Sequence, residues 1–266
     1  MQFKIAVLQI NSTTDKERNL SKLSQLIREA SVNDIKLISL PEMMNAITNE
    51  PMEAAESIPG YTTDILISLA KEYGVWIHGG SIAESNKNEK PYNTTVMISP
   101  DRGIIAKYRK LHLFDVDLPS GRSIKESNKM TAGDQIVTVD TEIGNLGFAI
   151  CYDIRFPEIF RIMALKGAQI VFTPANFTYE TGSAHWESIL RCRAIENGYY
   201  IVAAGQCGVN SSFRAYGHSM VIDPYGRILS LLENEEGILY AVIDTDYVKR
   251  MRGQIPSLNN RRTDIY

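Results

Sequence analysis

Cysteine is scarce in this chain, with three residues among 266, at 151, 192 and 207. A sparse and odd-numbered set in a long chain fits reduced thiols better than a disulfide framework. No Cys-x-x-Cys occurs, and His78, His112, His185 and His218 show no metal-like spacing, so no metal site is expected. Long apolar runs are missing as well; no segment approaches the roughly 18 residues of a membrane span. The opening Met-Gln-Phe-Lys-Ile-Ala-Val-Leu reads directly as a strand, without a charged leader, a long apolar stretch or a cleavage site. A cytoplasmic protein with no membrane partner is expected. Strong charge of one sign is also lacking. The net charge is −3, and the Lys/Arg clusters at 107–110 and 261–262 are small and far apart, which excludes nucleic acid as the main partner. There is no G-x-G-x-x-G, P-loop or G-x-S-x-G, so neither nucleotide binding nor a serine-hydrolase elbow has support.

What is present is an ordinary globular composition, 44% apolar and 22% charged, enough for a sizeable core. The length allows one large α/β domain or two small ones. Alternation over 3–9 predicts a strand, and Leu20, Leu23, Leu26, Ile27 and Ala30 share one face of a helix over 15–31, with Asp15 and Arg18 at its start. Strands are expected at 35–40 and 75–81, with a helix over 64–73 between them. Segments 92–99 and 103–108 form a hairpin around Pro100-Asp101-Arg102-Gly103. From 109 to 132 the chain is irregular and polar, which more often means a lid or binding loop than a spacer. A second hairpin pairs 136–139 with 146–150. A helix over 157–166, a strand at 169–173, a helix over 184–197 with Ser183 as N-cap and a strand at 199–205 follow. A hairpin over 216–231, a strand at 237–243 and a short helix complete the chain. Strand–helix alternation thus occurs twice. A mixed-sheet α/β domain and two similar halves packed sheet to sheet both satisfy it, and periodicity does not choose.

Three residues capable of chemistry stand at strand ends or just beyond: Glu42 after Pro41, Lys110 in Lys-Tyr-Arg-Lys, and Cys151 ahead of a helix opened by Pro157. A free thiol is only about a few per cent ionised at neutral pH, so a nearby base raises its nucleophilicity. A carboxylate can take the thiol proton and return it to a leaving amine. A lysine between carboxylates keeps its charge and can stabilise an oxyanion, with the Tyr152 N–H as a second donor. Taken one at a time, each residue also has an ordinary reading: a core cysteine, a solvated glutamate, a surface lysine.

Pro-Glu at 41–42, Tyr-Arg-Lys-Leu-His-Leu-Phe-Asp at 108–115 and Ile-Cys-Tyr-Asp-Ile-Arg-Phe-Pro-Glu at 150–158 resemble the three motif blocks of the nitrilase superfamily of carbon–nitrogen hydrolases. The resemblance runs from the first strand to the closing Arg-Arg-Thr-Asp-Ile-Tyr, as a single domain over 1–266. It implies an α-β-β-α sandwich, with Glu42 as general base, Lys110 as oxyanion-stabilising lysine and Cys151 as nucleophile. Glu126 matches a second glutamate, in the loop after the lysine block, that positions substrate or shares the lysine's charge. It also implies subunits paired through their helices as a homodimer or higher even oligomer. Ala-His-Trp-Glu at 184–187, Tyr-Gly-His-Ser-Met at 216–220 and Asp-Pro-Tyr-Gly at 223–226 are most similar to the ω-amidase and deaminated-glutathione-amidase branch. The implied reaction is hydrolysis of a small linear carboxamide through a cysteine thioester, with no cofactor. N-carbamoyl amidohydrolases and true nitrilases share the triad and remain alternatives; a non-catalytic binding module would not need all three residues.

Around this set, Asn176 and Phe177 are expected to border the pocket, and Tyr152 to help grip substrate. Arg155 either pairs a substrate carboxylate or, as the favoured reading, pairs with Glu158 or Glu42 and holds its loop. Trp186 and Glu187 are expected beneath the site and Cys192 in the core. Cys207 is read as packed, with the pocket edge as its alternative.

Overall fold

The computed structural model describes residues 1–87, 89–211 and 213–265. The chain opens with β1 (Gln2–Gln9), α1 (Lys16–Ser31) and β2 (Ile35–Ser39). The Asp15 side chain caps α1 by accepting from the Arg18 N–H at 3.0 Å. A single turn, α2 (Pro51–Ala54), and α3 (Tyr61–Tyr73) lead to β3 (Trp76–His78), β4 (Ile82–Asn86), β5 (Glu89–Ser99) and β6 (Gly103–Arg109). A small hairpin, β7 (Asp115–Asp117) with β8 (Ser123–Lys125), interrupts the segment expected to be irregular. Then come β9 (Thr138–Thr141), β10 (Gly144–Phe148), α4 (Pro157–Leu165), β11 (Ile170–Phe172), α5 (Tyr179–Asn197) and β12 (Tyr200–Ala203). The chain closes with β13 (Met220–Ile222), β14 (Ile228–Leu231), β15 (Gly237–Asp244) and α6 (Thr245–Gln254).

These strands make two large sheets. One runs β15-β1-β2-β3-β5-β4 with β6 paired to β5, the other β14-β13-β12-β11-β10-β9. Each has a parallel centre, β1-β2-β3 and β10-β11-β12, flanked by antiparallel strands. Alternation along the strands sorts side chains to two faces. Ile5, Val7, Leu37 and Trp76 face the second sheet, while Ala6, Leu8, Ile38 and Ile77 pack under α1 and α3. The second sheet meets the first with Phe148 and Phe172, whose rings stack on His78 of β3, and carries α4 and α5 on its other side through Phe160, Met163, Trp186 and Leu190. The arrangement is an α-β-β-α sandwich, and of the two sequence readings it is the pair of similar halves.

The structure departs from the sequence reading in several further places. The strand placed at 75–81 breaks after His78, and β4 follows a Gly79–Gly80 turn. Gly80 has φ +57°, and a Cβ there would lie 2.0 Å from the Pro41 carbonyl oxygen. Only glycine lets this turn press against the backbone that carries Glu42. Ser183 is not an N-cap: α5 starts at Tyr179 with Thr178 as cap, and Ser183 lies inside the helix with its hydroxyl on the Glu180 carbonyl. Gly182, a poor helix former, sits within α5 because a Cβ there would run into Tyr216 at 2.5 Å. Cys192 is exposed on α5 rather than in the core, and Glu187 is exposed in an ion pair with Arg191 instead of packing under the site.

Candidate active site

The ends of the parallel strands converge at one rim of the sandwich, where open α/β sheets carry their reactive groups. Glu42 follows β2. Its loop is tied to the β3–β4 turn by Ser81 N–H on the Pro41 carbonyl (3.2 Å) and Met44 N–H on the Ser81 carbonyl (3.1 Å). From the other sheet, Gln206 Nε2 donates to the Glu42 carbonyl at 2.9 Å. Lys110 follows β6, held by its N–H on the Asn93 carbonyl at 2.8 Å. Cys151 follows β10 and starts a single turn of 3-10 helix, Cys151–Arg155.

The three side chains are buried and adjacent. Lys110 Nζ donates to Glu42 Oε1 at 3.1 Å and to Glu126 Oε1 and Oε2 at 3.1 and 2.9 Å, with the lysine only 2% exposed. Glu42 Oε1 also accepts from Asn93 Nδ2 at 2.8 Å, and Oε2 accepts the Asn176 N–H at 2.6 Å. Cys151 stands beside Glu42 on the floor of the same cavity. Burial alone would discharge Lys110, but Glu126 and Glu42 overcome it and hold the ammonium well above the usual lysine range. Burial pushes the Cys151 thiol up, the Glu42 charge adds to this, and Lys110 opposes it. The resting thiol is therefore protonated, with the Glu42 carboxylate beside it on the cavity floor.

Cys151 adopts φ +49°, a left-handed conformation that costs a non-glycine residue about 1–2 kcal/mol. Asp153 holds it there. Fully buried, it accepts from the Ile150 N–H at 2.8 Å, the Tyr108 hydroxyl at 2.7 Å, and the His112 N–H and Nδ1 at 3.0 and 2.7 Å. One carboxylate thus locks the Cys151 turn onto the segment bearing Lys110. As the second residue of the 3-10 turn, Tyr152 has no intrahelical acceptor for its N–H, which leaves that donor free to point at a ligand.

Glu126 is not an exposed lid residue. It opens a short 3-10 turn after β8, and its side chain is 16% exposed, with Oε2 also taking the Phe114 N–H at 2.6 Å. The cavity at this point has a volume of about 430 Å³ and is floored by Glu42, Lys110, Glu126 and Cys151. Phe114, Met43, Ile47 and Phe213 supply apolar wall, and Arg122, Lys125 and Lys129 supply cationic wall. Tyr152 and Phe177 line a small recess beside Cys151 together with Asn176. Arg155 pairs with neither Glu158 nor Glu42. Its guanidinium lies over the Phe177 and Tyr152 rings at 5.3 and 5.8 Å and donates to His185 Nδ1 at 3.3 Å, outside the cavity wall.

Trp186 is buried beneath the site with Nε1 on the His218 carbonyl at 2.8 Å. Cys207 is buried, its N–H on the Ile10 carbonyl and its thiol pushed up to about 12 by burial, away from the cavity wall. Sequence reasoning passed over Asn93, Asp153, Phe114, Phe213 and Gln206. Asp153 had a signal, since it lies inside the cysteine block. Asn93 had none beyond its place in an Asn-Thr-Thr run that reads as a glycosylation sequon.

Known proteins share this architecture. The family model for carbon-nitrogen hydrolases matches residues 4–253. The chain is 39% identical over 267 residues to the omega-amidase NIT2 of Homo sapiens, covering 99% of this chain and 96% of that protein. It is 39% identical over 271 residues to the deaminated glutathione amidase of Bos taurus, covering 98% and 83%. Among solved structures, the C. elegans NitFhit protein superimposes with a TM-score of 0.92 at 36% identity, over 100% of this chain and 66% of that longer one. Saccharomyces cerevisiae Nit3, a member of branch 10 of the nitrilase superfamily, gives 0.87 at 33% identity, over 98% and 97%.

Proposed function

The chain belongs to the carbon–nitrogen hydrolase family, and on that premise we propose that it cleaves small linear amides through a thioester on Cys151. It is an amidase of the nitrilase superfamily. The observation that carries the mechanism is the convergence of Glu42, Lys110 and Cys151 on one buried cavity floor. Glu42 takes the Cys151 proton as Sγ attacks the amide carbonyl carbon. Negative charge on the carbonyl oxygen meets the Lys110 ammonium and the Tyr152 N–H; one such donor is typically worth ~10²–10³ in kcat. Glu42 returns the proton to the nitrogen, ammonia leaves, and the thioester remains. Glu42 then takes a proton from water, whose oxygen attacks the thioester carbonyl. The acid leaves and Cys151 regains its proton. Glu126 keeps Lys110 charged and aimed.

For the substrate we infer an ω-amide of a short dicarboxylate or keto acid, or a deaminated γ-glutamyl peptide. Two features support this: the names of the relatives, and the cationic side chains of Arg122, Lys125 and Lys129 on the cavity wall, which suit a carboxylate at the far end of the substrate. The whole chain acts as one domain. Ile162 and Leu165 of α4 and Ile195 of α5 are 38%, 47% and 54% exposed, and we assign this helical face to pairing of two subunits. Sedimentation reading a monomer at micromolar concentration would refute the pairing. A cytoplasmic location fits as well, since among the described residues no helix is long and apolar enough to cross a membrane.

Ammonia release across ω-amides, carbamoyl compounds and nitriles tests the reaction. Preferred turnover of ω-amides is expected. Carbon dioxide released with ammonia would instead mark a carbamoylase, and preference for a nitrile over its amide a nitrilase. Cys151→Ala is expected to abolish turnover while the protein stays folded.

A further inference from the structure

A primary carboxamide brings one carbonyl oxygen and two N–H donors into the cavity. The oxygen has Lys110 and the Tyr152 N–H to meet it, but both N–H groups need acceptors as well. The two carboxylates nearest Lys110 are already occupied. Glu126 directs both oxygens at Lys110 and also accepts the Phe114 N–H. Glu42 Oε1 accepts from Asn93 and Lys110, and Oε2 takes the Asn176 N–H.

Asn93 differs from both. It lines the cavity, is 1% exposed, and stands on β5 beside Lys110, whose N–H donates to its carbonyl. Its side-chain NH2 must face Glu42, because a carboxylate accepts and cannot donate. That fixes the side-chain carbonyl on the other edge of the amide, where Oδ1 is buried with no hydrogen-bond partner among the described residues. Buried acceptors are rarely left unpaired; seven other buried side-chain atoms among the described residues share that state, but only Asn93 among their residues lines the cavity, where a ligand can supply the partner. A substrate N–H is such a partner.

We propose that Asn93 is a specificity-determining residue that touches substrate: Oδ1 accepts an N–H of the scissile carboxamide while Nδ2 holds Glu42. One side chain thereby couples recognition of the leaving nitrogen to the orientation of the base that will protonate it. A compound with methyl in place of NH2 leaves Oδ1 unpaired, and sites built to pair a polar group discriminate strongly against analogues that lack it. The proposal rests on Cys151 as nucleophile with Glu42 as its base, and it is independent of what occupies the far end of the cavity.

Alkylation of Cys151 by chloroacetamide and by chloroacetone tests it. In both reactions the Sγ–C bond forms as the C–Cl bond breaks, chloride leaves with the bonding pair, and the thiol proton passes to Glu42. The reagents differ only in NH2 against CH3, and no amine has to leave. A variant that merely mispositions Glu42 slows both equally. In Asn93→Ala the ratio of chloroacetamide to chloroacetone labelling rates is expected to fall about tenfold from that of the unsubstituted protein, the loss of one hydrogen bond. Asn93→Val, suited to a strand, serves as the second variant should the alanine protein fail to fold by circular dichroism. A ratio unchanged while both rates fall, or with neither affected, overturns the proposal. Peptide mapping that finds the adduct of the unsubstituted protein away from Cys151 would overturn the nucleophile assignment, and the proposal with it.

Discussion

Asp153 offers the sharpest test of how the fold builds the nucleophile. Its two oxygens offer about four lone-pair sites, and all four receive donors, two of them backbone N–H groups, from Ile150 and His112. Asparagine has the same shape but replaces one oxygen with NH2. In one orientation that NH2 faces the His112 N–H, in the other the Ile150 N–H, so a buried backbone donor meets another donor either way. Losing a hydrogen bond to a charged group costs about 1.5–3 kcal/mol, and stranding a buried donor about 1–3 kcal/mol more. A total near 3–5 kcal/mol corresponds to a fall in Tm of about 10 °C for a chain of this size. The strained Cys151 backbone also loses the bond at Ile150 that holds it, and a displacement of about 1 Å at the reacting atom lowers kcat by roughly 10². Thermal unfolding followed by circular dichroism and ammonia release with a fixed ω-amide read the two effects on one preparation. A melting point within about 2 °C of the unsubstituted protein, together with unchanged turnover, would refute the account of Asp153 as the lock.

Glu126→Gln keeps the shape beside Lys110 but removes one of the two charges that sustain the ammonium; kcat is expected to fall by ~10², in line with the loss of an oxyanion partner. Unchanged steady-state kinetics would show that Glu42 alone suffices. His78, sealed between the sheets against Phe148 and Phe172, is lowered to about 3 by burial. Its folded form stays neutral while an unfolded chain takes up a proton below about 6.5. Its contribution is thus complete above that pH and is lost as the pH falls toward 3, at about 1.4 kcal/mol per unit. Urea unfolding midpoints at pH 7, 6 and 5 should show this decline in the unsubstituted protein and a flatter profile in His78→Gln; identical profiles would contradict it.

Much of the molecule is written in local pattern. The period-3.6 stripe of α1, the apolar runs of β2 and β10 and the Pro157 start of α4 are each decided by neighbours a few residues away, and they appear where the pattern puts them. β4 is different, because its Glu84 reads as a loop residue. Glu84 is buried only because Arg109 and Lys107, two strands away in sequence, pair with it at 2.8 and 2.7 Å. Asn93 is hidden for the same reason: nothing local says which face of β5 meets Glu42. Cys192 and Glu187 were misplaced because α5 is weakly amphipathic, with apolar side chains on both faces, so its buried side is set by Tyr216 and β12 rather than by periodicity. Glu42, Lys110 and Cys151 could be named from their motif blocks. Their convergence is a property of two packed sheets.

The central claim, acyl transfer through Cys151 with Glu42 as base, is tested most directly by the intact mass of Glu42→Gln mixed with an ω-amide. The carboxamide that this substitution puts in place of the carboxylate can neither take the thiol proton nor activate water. The account predicts slow accumulation of a mass gain equal to the amide less ammonia, mapped to Cys151, without steady turnover, and no gain when Cys151→Ala is added. Normal turnover by Glu42→Gln, or an adduct that survives Cys151→Ala, would contradict it.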